Sequence, residues 1–245
     1  MSRRRTDLAY GSDARQKLDV YLPASGTSDT LVVFWHGGSW QRGDKKTHAF
    51  VGRALAGMGY VAVIPNYRLY PSVVFPAFVQ DGAAAVRWAY DTYHPAKIVL
   101  MGHSAGSLIA ADLALDPRYL EATGTDKLPI AAMIGLSGPY DFTPWPRLRP
   151  IFQDTDPQVW KPINLVTSTQ TPPAHPFLLV HGRLDYTVVP ANSVSLAAAI
   201  NRVGGRAKLI IYPCFDHMSM LLPLIGPFGY LFPLRRQIKR FIADL

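Results

Sequence analysis

The chain has 245 residues and a formal net charge of +8, with 49% hydrophobic and 17% charged residues. This composition excludes a disordered chain and supplies apolar surface for a full core; the length suits one large α/β domain or two small ones without choosing, and the element pattern reads as a single domain spanning 1–245. The single cysteine, Cys214, excludes an internal disulfide and a cysteine-rich zinc site; at the end of the apolar "LIIYPCF" it reads as a small buried packing residue.

The elements alternate in chain order. Residues 17–23 ("KLDVYLP") alternate polar and apolar, which predicts a half-exposed antiparallel edge strand. The continuous apolar run "TLVVFWHGG" predicts a strand buried on both faces, and the helical pattern "THAFVGRALAGMG" stops at Gly59. Then come strand "YVAVIPNYRL", helix "FPAFVQDGAAAVRWAYDTY", strand "KIVLMG" and helix "SAGSLIAADLAL". Strands "IAAMIGLSG" and "FLLVHG" bracket a proline-rich stretch, residues 140–176, that reads as an inserted cap or lid. Helix "ANSVSLAAAINRVG", strand "AKLIIYP" and helix "RRQIKRFIADL" close the chain. Such alternation predicts an α/β fold: a mostly parallel central sheet with an antiparallel N-terminal edge and helices on both faces.

Much of the basic excess lies near the ends, in Arg3, Arg4, Arg5, Arg235, Arg236, Lys239 and Arg240. No nucleic-acid-binding signature accompanies it, so it reads as a solvated face and no nucleic-acid partner is expected. No apolar segment follows the N-terminal arginines, so no intact secretory signal is expected and a cytoplasmic location is. Residues 218–233 are apolar but broken by Pro223, Gly226, Pro227 and Gly229, and shorter than the ~20 residues a bilayer requires. They predict a loop and helix at a pocket mouth and no stable membrane insertion. The oligomeric state is not encoded in any of these patterns.

In a parallel sheet, functional loops follow the carboxyl ends of the strands. There stand His36-Gly37-Gly38-Ser39-Trp40, then Gly102-His103-Ser104-Ala105-Gly106, then Arg183-Leu184-Asp185, and finally Asp216-His217. The order Ser…Asp…His, with G-x-S-x-G between a strand and a helix, is that of a serine hydrolase with a nucleophile elbow. A serine hydroxyl becomes nucleophilic when an imidazole takes its proton, and the imidazole needs a carboxylate on its other nitrogen. The oxyanion needs backbone N–H donors, for which Ala105 at the helix start and the side-chain-free Gly37 and Gly38 are candidates. The expected catalytic residues are therefore Ser104, His217 and Asp185.

Competing residues have plainer roles. His36 and His181 sit at strand ends, where they brace loops; His103 is the variable motif position; His48, His94 and His175 lie in helix or loop contexts. Asp141, Asp154 and Asp156 compete with Asp185, which alone follows the strand before the histidine's strand. Asp216 is adjacent to His217 and points elsewhere. Trp40, Tyr140, Phe142, Trp145, Trp160 and Met218 are candidate pocket walls, although core or lid packing explains each equally well. No ligand cluster indicates a metal, and no cofactor is expected.

The stretches "HGGSWQRGDK", "YVAVIPNYRLYP", "FPAFVQDGAAAVRW", "GHSAGS", "HGRLDYTVV" and "FDHMSML", preceded by "DVYLP", span Asp19 to Leu221. In this order they resemble the α/β-hydrolase superfamily. The particular likeness is to the small carboxylesterase group of hormone-sensitive-lipase-like, feruloyl- and acetyl-xylan-esterase-like and kynurenine-formamidase-like enzymes. The resemblance implies the α/β-hydrolase fold, the Ser104–His217–Asp185 triad and an oxyanion hole from the Gly37, Gly38 and Ala105 amides. The sequence departs from the group at Ser39, where the usual stretch has a third glycine, and at His103, where many lipase-like relatives have Asp. It also lacks the N-terminal helical cap of the larger lipase-like enzymes, which implies a minimal cap and an open site. The expectation is a serine hydrolase that cleaves small-molecule carboxylic esters of small or short acyl groups through an acyl-enzyme. The alternatives are an arylformamidase with the same triad and a catalytically silent hydrolase-fold binding module.

Overall fold

The computed structural model describes residues 3–124, 128–141, 146–153 and 164–245. Eight strands form one sheet: β1 (Arg4–Ala9), β2 (Lys17–Tyr21), β3 (Thr30–Trp35), β4 (Val61–Pro65), β5 (Lys97–His103), β6 (Ile130–Leu136), β7 (Phe177–Gly182) and β8 (Ala207–Tyr212). Their order is β1-β2-β4-β3-β5-β6-β7-β8; β1–β2 and β2–β4 pair antiparallel and every other pair is parallel. This is the α/β-hydrolase architecture with the antiparallel N-terminal edge that the patterning predicts.

The longer helices are α1 (Ala49–Gly57), α2 (Ala77–Tyr93), α3 (Ala105–Leu115), α4 (Ala191–Arg202) and α5 (Leu234–Ala243). Successive strand residues point to opposite faces. Along β3, Leu31, Val33 and Trp35 join one apolar cluster with residues of α2, α3 and α4. Val32 and Phe34 join a second cluster with residues of α1 and α5. A continuous apolar run in β3 thus serves both faces, each buried aliphatic side chain contributing roughly 1.5–3 kcal/mol. Helix α3 has no polar face because it is packed between β3, β5, β6 and α2, and Ala105 through Leu113 are all buried.

Three expectations are corrected. The 17–23 strand is second from the edge, not at it: Leu18 through Tyr21 are buried, and β1 covers β2's outer side. The Asp19 that reads as solvent-facing is fully buried, its charge met by Lys45 Nζ at 2.5 Å and Arg4 Nη2 at 2.8 Å. Strand β1, "RRTDLA", shows no apolar alternation; it is a strand because its backbone pairs with β2 while its side chains stay mostly exposed. Its arginines are therefore a structured edge, and Arg235 is likewise committed, donating to the Pro223 and Leu224 carbonyls. Cys214 is exposed, not buried, because it lies two residues beyond the end of β8, in a turn.

Of the 140–176 stretch, the described part comprises a 3-10 turn at Pro146–Phe152 and a short helix at Leu165–Ser168. Leu148, Ile151, Phe152 and Leu165 join the first core cluster. Phe142, Asp154, Asp156, Trp145 and Trp160 lie outside the described residues. Among the described residues no helix is long and apolar enough to cross a membrane. The 218–233 segment folds as a 3-10 helix, Ser219–Leu224, and a helical turn, Phe228–Leu231, with Met220, Leu221 and Leu224 buried against the second cluster.

Candidate active site

The G-x-S-x-G sequence makes the β5–α3 turn possible for a steric reason. A Cβ on Gly102 would lie 2.2 Å from the Gly106 carbonyl oxygen, and one on Gly106 would lie 2.2 Å from the Trp35 carbonyl oxygen. Only glycine permits these approaches. Between them Ser104 takes φ 53° and ψ −124°, a strained conformation for a residue with a side chain. The Ser104 N–H donates to the Leu136 carbonyl at 2.9 Å, tying the turn to β6.

His217, in the loop after β8, has Nε2 2.8 Å from Ser104 Oγ and Nδ1 2.7 Å from Asp185 Oδ2. The chain of three is almost closed to solvent. Burial opposes ionisation of Asp185, but the His181 and His217 rings and the Val188 N–H outweigh it and hold the carboxyl well below the usual range. Its Oδ1 accepts the N–H groups of Thr187 and Val188 at 3.0 and 2.8 Å, which fixes the carboxylate plane.

Two further histidines frame this arrangement. His181 lies between Ser193 Oγ, the Val188 carbonyl and Asp185 Oδ2, so it braces the Asp185 loop as its place at a strand end suggests. His103 Nε2 is 2.9 Å from the His217 carbonyl oxygen, to which it donates. Burial first, then repulsion from His217, lowers its pKa to about 3 and keeps the ring neutral. No sequence signal identifies this link, because it joins residues 114 apart through a backbone carbonyl. Asp216 faces away, its Oδ1 accepting from Met218 N–H, Ser219 N–H and Ser219 Oγ.

The glycine stretch after β3 approaches Ser104 from the opposite side. A Cβ on Gly37 would lie 3.0 Å from Ser104 Cβ, and one on Gly38, at φ +130°, would lie 2.0 Å from the Arg42 carbonyl oxygen. Ser39, in the third position of the stretch, holds φ +53°, the left-handed region that a glycine usually fills. Ala105 opens α3, so its N–H belongs to the first turn, whose donors have no intrahelical acceptor.

The glycine loop is anchored from behind. Arg15 donates to the Gly43 and Tyr67 carbonyls, both at 2.9 Å, and Tyr67 Oη donates to the His36 carbonyl at 2.9 Å. Asn66 accepts from Lys45 N–H and donates to Asp44 Oδ2. His36 is stacked on Tyr67 with 4.6 Å between ring centroids, and its burial lowers its pKa to about 4.

These elements enclose a cavity of about 610 Å³ with Ser104 and His217 in its wall, alongside Gly37, Gly38 and Ala105. Of the proposed wall residues, Trp40 and Met218 line it: Trp40 is nearly buried and stacked on Phe78, whereas Met218 is 66% exposed. Tyr140 does not line it. Its ring is fully buried and its hydroxyl is 2.5 Å from Ser107 Oγ, because the turn after β6 directs it into the core. Sequence reasoning missed Arg42, Arg147, Leu148, Tyr186 and Val189, which also line the cavity; Tyr186 and Val189 follow Asp185 closely, so the strand-end rule covers their position. Among the described residues no group of three or more His, Cys, Asp or Glu is placed to hold a metal ion.

The BD-FAE family model matches residues 18–200, three quarters of the chain, from within β2 to within α4. The chain belongs to the BD-FAE family. Sequence relatives of this BD-FAE chain include the isoprenylcysteine alpha-carbonyl methylesterase of Arabidopsis thaliana, 28% identical over 91% of this chain and 58% of the relative. A kynurenine formamidase from Danio rerio is 34% identical over 56% of this chain and 47% of its own length. The chain thus spans a little over half the length of the methylesterases it matches. Among solved structures, esterase B from Lactobacillus rhamnosis superposes with TM-score 0.82 at 21% identity, over 99% of this chain and 85% of that one. A truncated carbohydrate esterase from gut microbiota gives 0.78 at 20% identity, over 99% and 96%. At these identities the structures establish the α/β-hydrolase fold of the BD-FAE chain.

Proposed function

We propose that this protein is a carboxylesterase-type serine hydrolase that cleaves small-molecule carboxylic esters through an acyl-enzyme. The observation that carries the reading is the continuous hydrogen-bonded chain Ser104–His217–Asp185 at the wall of a cavity large enough for a small ester. In the proposed reaction Ser104 Oγ attacks the ester carbonyl as His217 Nε2 takes its proton. Asp185 stabilises the imidazolium, and the Gly37, Gly38 and Ala105 amides receive the oxyanion. His217 then returns the proton to the leaving alcohol. Water, deprotonated by the same imidazole, attacks the acyl carbonyl and frees Ser104. The two apolar clusters on opposite faces of one sheet support reading 1–245 as one hydrolase domain.

A short-chain p-nitrophenyl ester assayed on the wild type and on Ser104→Ala, with fluorophosphonate labelling of both, tests this reading. Turnover and labelling in the wild type, both lost in Ser104→Ala, are expected. No labelling of the wild type would identify a silent hydrolase fold. A second reading, arylformamidase action, is favoured by the partial match to the Danio rerio kynurenine formamidase. It predicts efficient deformylation of N-formylkynurenine beside negligible turnover of the ester.

A further inference from the structure

The cavity wall carries charge that the proposed hydrolytic steps leave unused. Arg42 and Arg147, both exposed, line the cavity from two different segments, the glycine loop and the 146–152 turn. Arg42 follows directly on the turn that packs against Gly38: its N–H donates to the Gly38 carbonyl at 3.1 Å, so its backbone is fixed beside a proposed oxyanion donor. Its guanidinium has no hydrogen-bond or ion-pair partner among the described residues. Asp141 is the acidic side chain in the same wall, and its Oδ1 accepts from Asn164 Nδ2 at 2.9 Å. Asp185 lies behind His217, saturated by His217 and the Thr187 and Val188 N–H groups. Burial favours the neutral rings of His48 and His103, so neither adds positive charge. Much of the remaining wall, Trp40, Leu148, Val188, Val189 and Met218, is apolar.

An apolar cleft with an uncommitted guanidinium at its wall is complementary to an apolar substrate bearing one anionic group. Resting on the ester-hydrolase reading, we propose that the cleft selects esters that carry a carboxylate on their acyl or alcohol part, with Arg42 as the counter-charge. Arg42 acts on selection between substrates, and the bond-breaking steps are the same for charged and uncharged esters.

The readout is a ratio of kcat/KM values for matched pairs. For the acyl side the pair is p-nitrophenyl hydrogen adipate and its uncharged carbamoyl analogue; for the alcohol side it is 4-carboxyphenyl acetate and 4-carbamoylphenyl acetate. Spontaneous hydrolysis is subtracted. In the wild type the anionic member of at least one pair is expected to be favoured by about fivefold, the effect of one partly solvated charge pair. Raising salt from about 0.01 M to about 1 M shortens the Debye length from about 30 to about 3 Å and should bring that ratio towards one. Arg42→Lys should keep the preference, Arg42→Ala should abolish it, and Arg42→Glu should invert it. Turnover of the uncharged esters with no preference for the anion in either pair would overturn the proposal while leaving the ester-hydrolase reading intact. Turnover of none of the four esters would overturn that reading itself. Wild-type ratios and their salt dependence test the selectivity without any variant, and an anion preference unchanged in Arg42→Ala would overturn the assignment of the counter-charge to Arg42.

Discussion

Lys45 is a lysine with 1% of its surface exposed, and its removal gives a stability change that can be worked out from its partners. Its ammonium lies 2.5 Å from Asp19 Oδ1 and 2.7 Å from Asp7 Oδ1. The Asp7 side chain is about half exposed, so that contact contributes little. The Asp19 pair is fully buried, and removing one partner of a buried pair costs about 3–5 kcal/mol because the other charge is left behind. In Lys45→Met, Asp19 would still hold Arg4 Nη2 at 2.8 Å and the Asp7 N–H at 3.0 Å, which places the expected loss at the low end, about 3 kcal/mol. Urea unfolding followed by far-UV circular dichroism should show the midpoint falling by about 1 M or more with an unchanged slope. The double variant Lys45→Met/Asp19→Leu removes both charges and should recover much of the loss. A single variant within about 0.5 kcal/mol of wild type, or a double variant less stable than the single, would refute the assignment of a buried ion pair joining β2 to the segment after the glycine loop.

Arg15→Ala removes the two hydrogen bonds that hold Gly43 and Tyr67; ester turnover should lose about tenfold or more in kcat with KM nearly unchanged, read by steady-state kinetics. Gly38→Ala places a methyl 2.0 Å from the Arg42 carbonyl oxygen at a φ of +130°, so the loop must shift; kcat/KM should fall by about 10²-fold or more while the circular dichroism spectrum is kept. Asp112 in α3 is buried with Oδ2 unpartnered, and burial raises its pKa well above the ordinary carboxyl value. Below about pH 4 the carboxyl is neutral in both the folded and the unfolded state and no penalty applies; above it the unfolded chain ionises while the folded one stays neutral, so stability is lost as pH rises towards the folded value, by up to about 1.4 kcal/mol per pH unit. Asp112→Asn should therefore be more stable than wild type at pH 7, with the gap closing near pH 4, measured by thermal unfolding across pH.

Much of the site was legible because its parts obey a placement rule. Ser104 and Asp185 each follow a buried apolar run and His217 follows the partly buried run of β8, and apolar runs of that length are easily recognised. The glycines at 102 and 106 carried information for the reason the backbone gives: carbonyl oxygens occupy the space where a side chain would be. What failed were readings that treated polarity as exposure. Asp19 looked like the outward face of an edge strand, but two cations that are distant in sequence, Lys45 and Arg4, make its burial tolerable. Strand β1 has no apolar period, and its backbone pairing with β2 leaves no trace in composition. Tyr140 read as a pocket wall, and only the direction of the turn after β6 sends it towards Ser107.

The sequence by itself determined the order of strands β2 to β8 and of the longer helices, the elbow and the identity of the three hydrogen-bonded residues, because these depend on local periodicity and on steric limits within a few residues. Only the tertiary structure decided which charges are buried in pairs, which loop braces which, and what lines the cavity. Those are contacts between residues far apart in the chain: His103 with the His217 carbonyl, Arg15 with Gly43, and Arg42 and Arg147 brought to one cleft. Their energies depend on distance and burial, which a linear pattern does not carry.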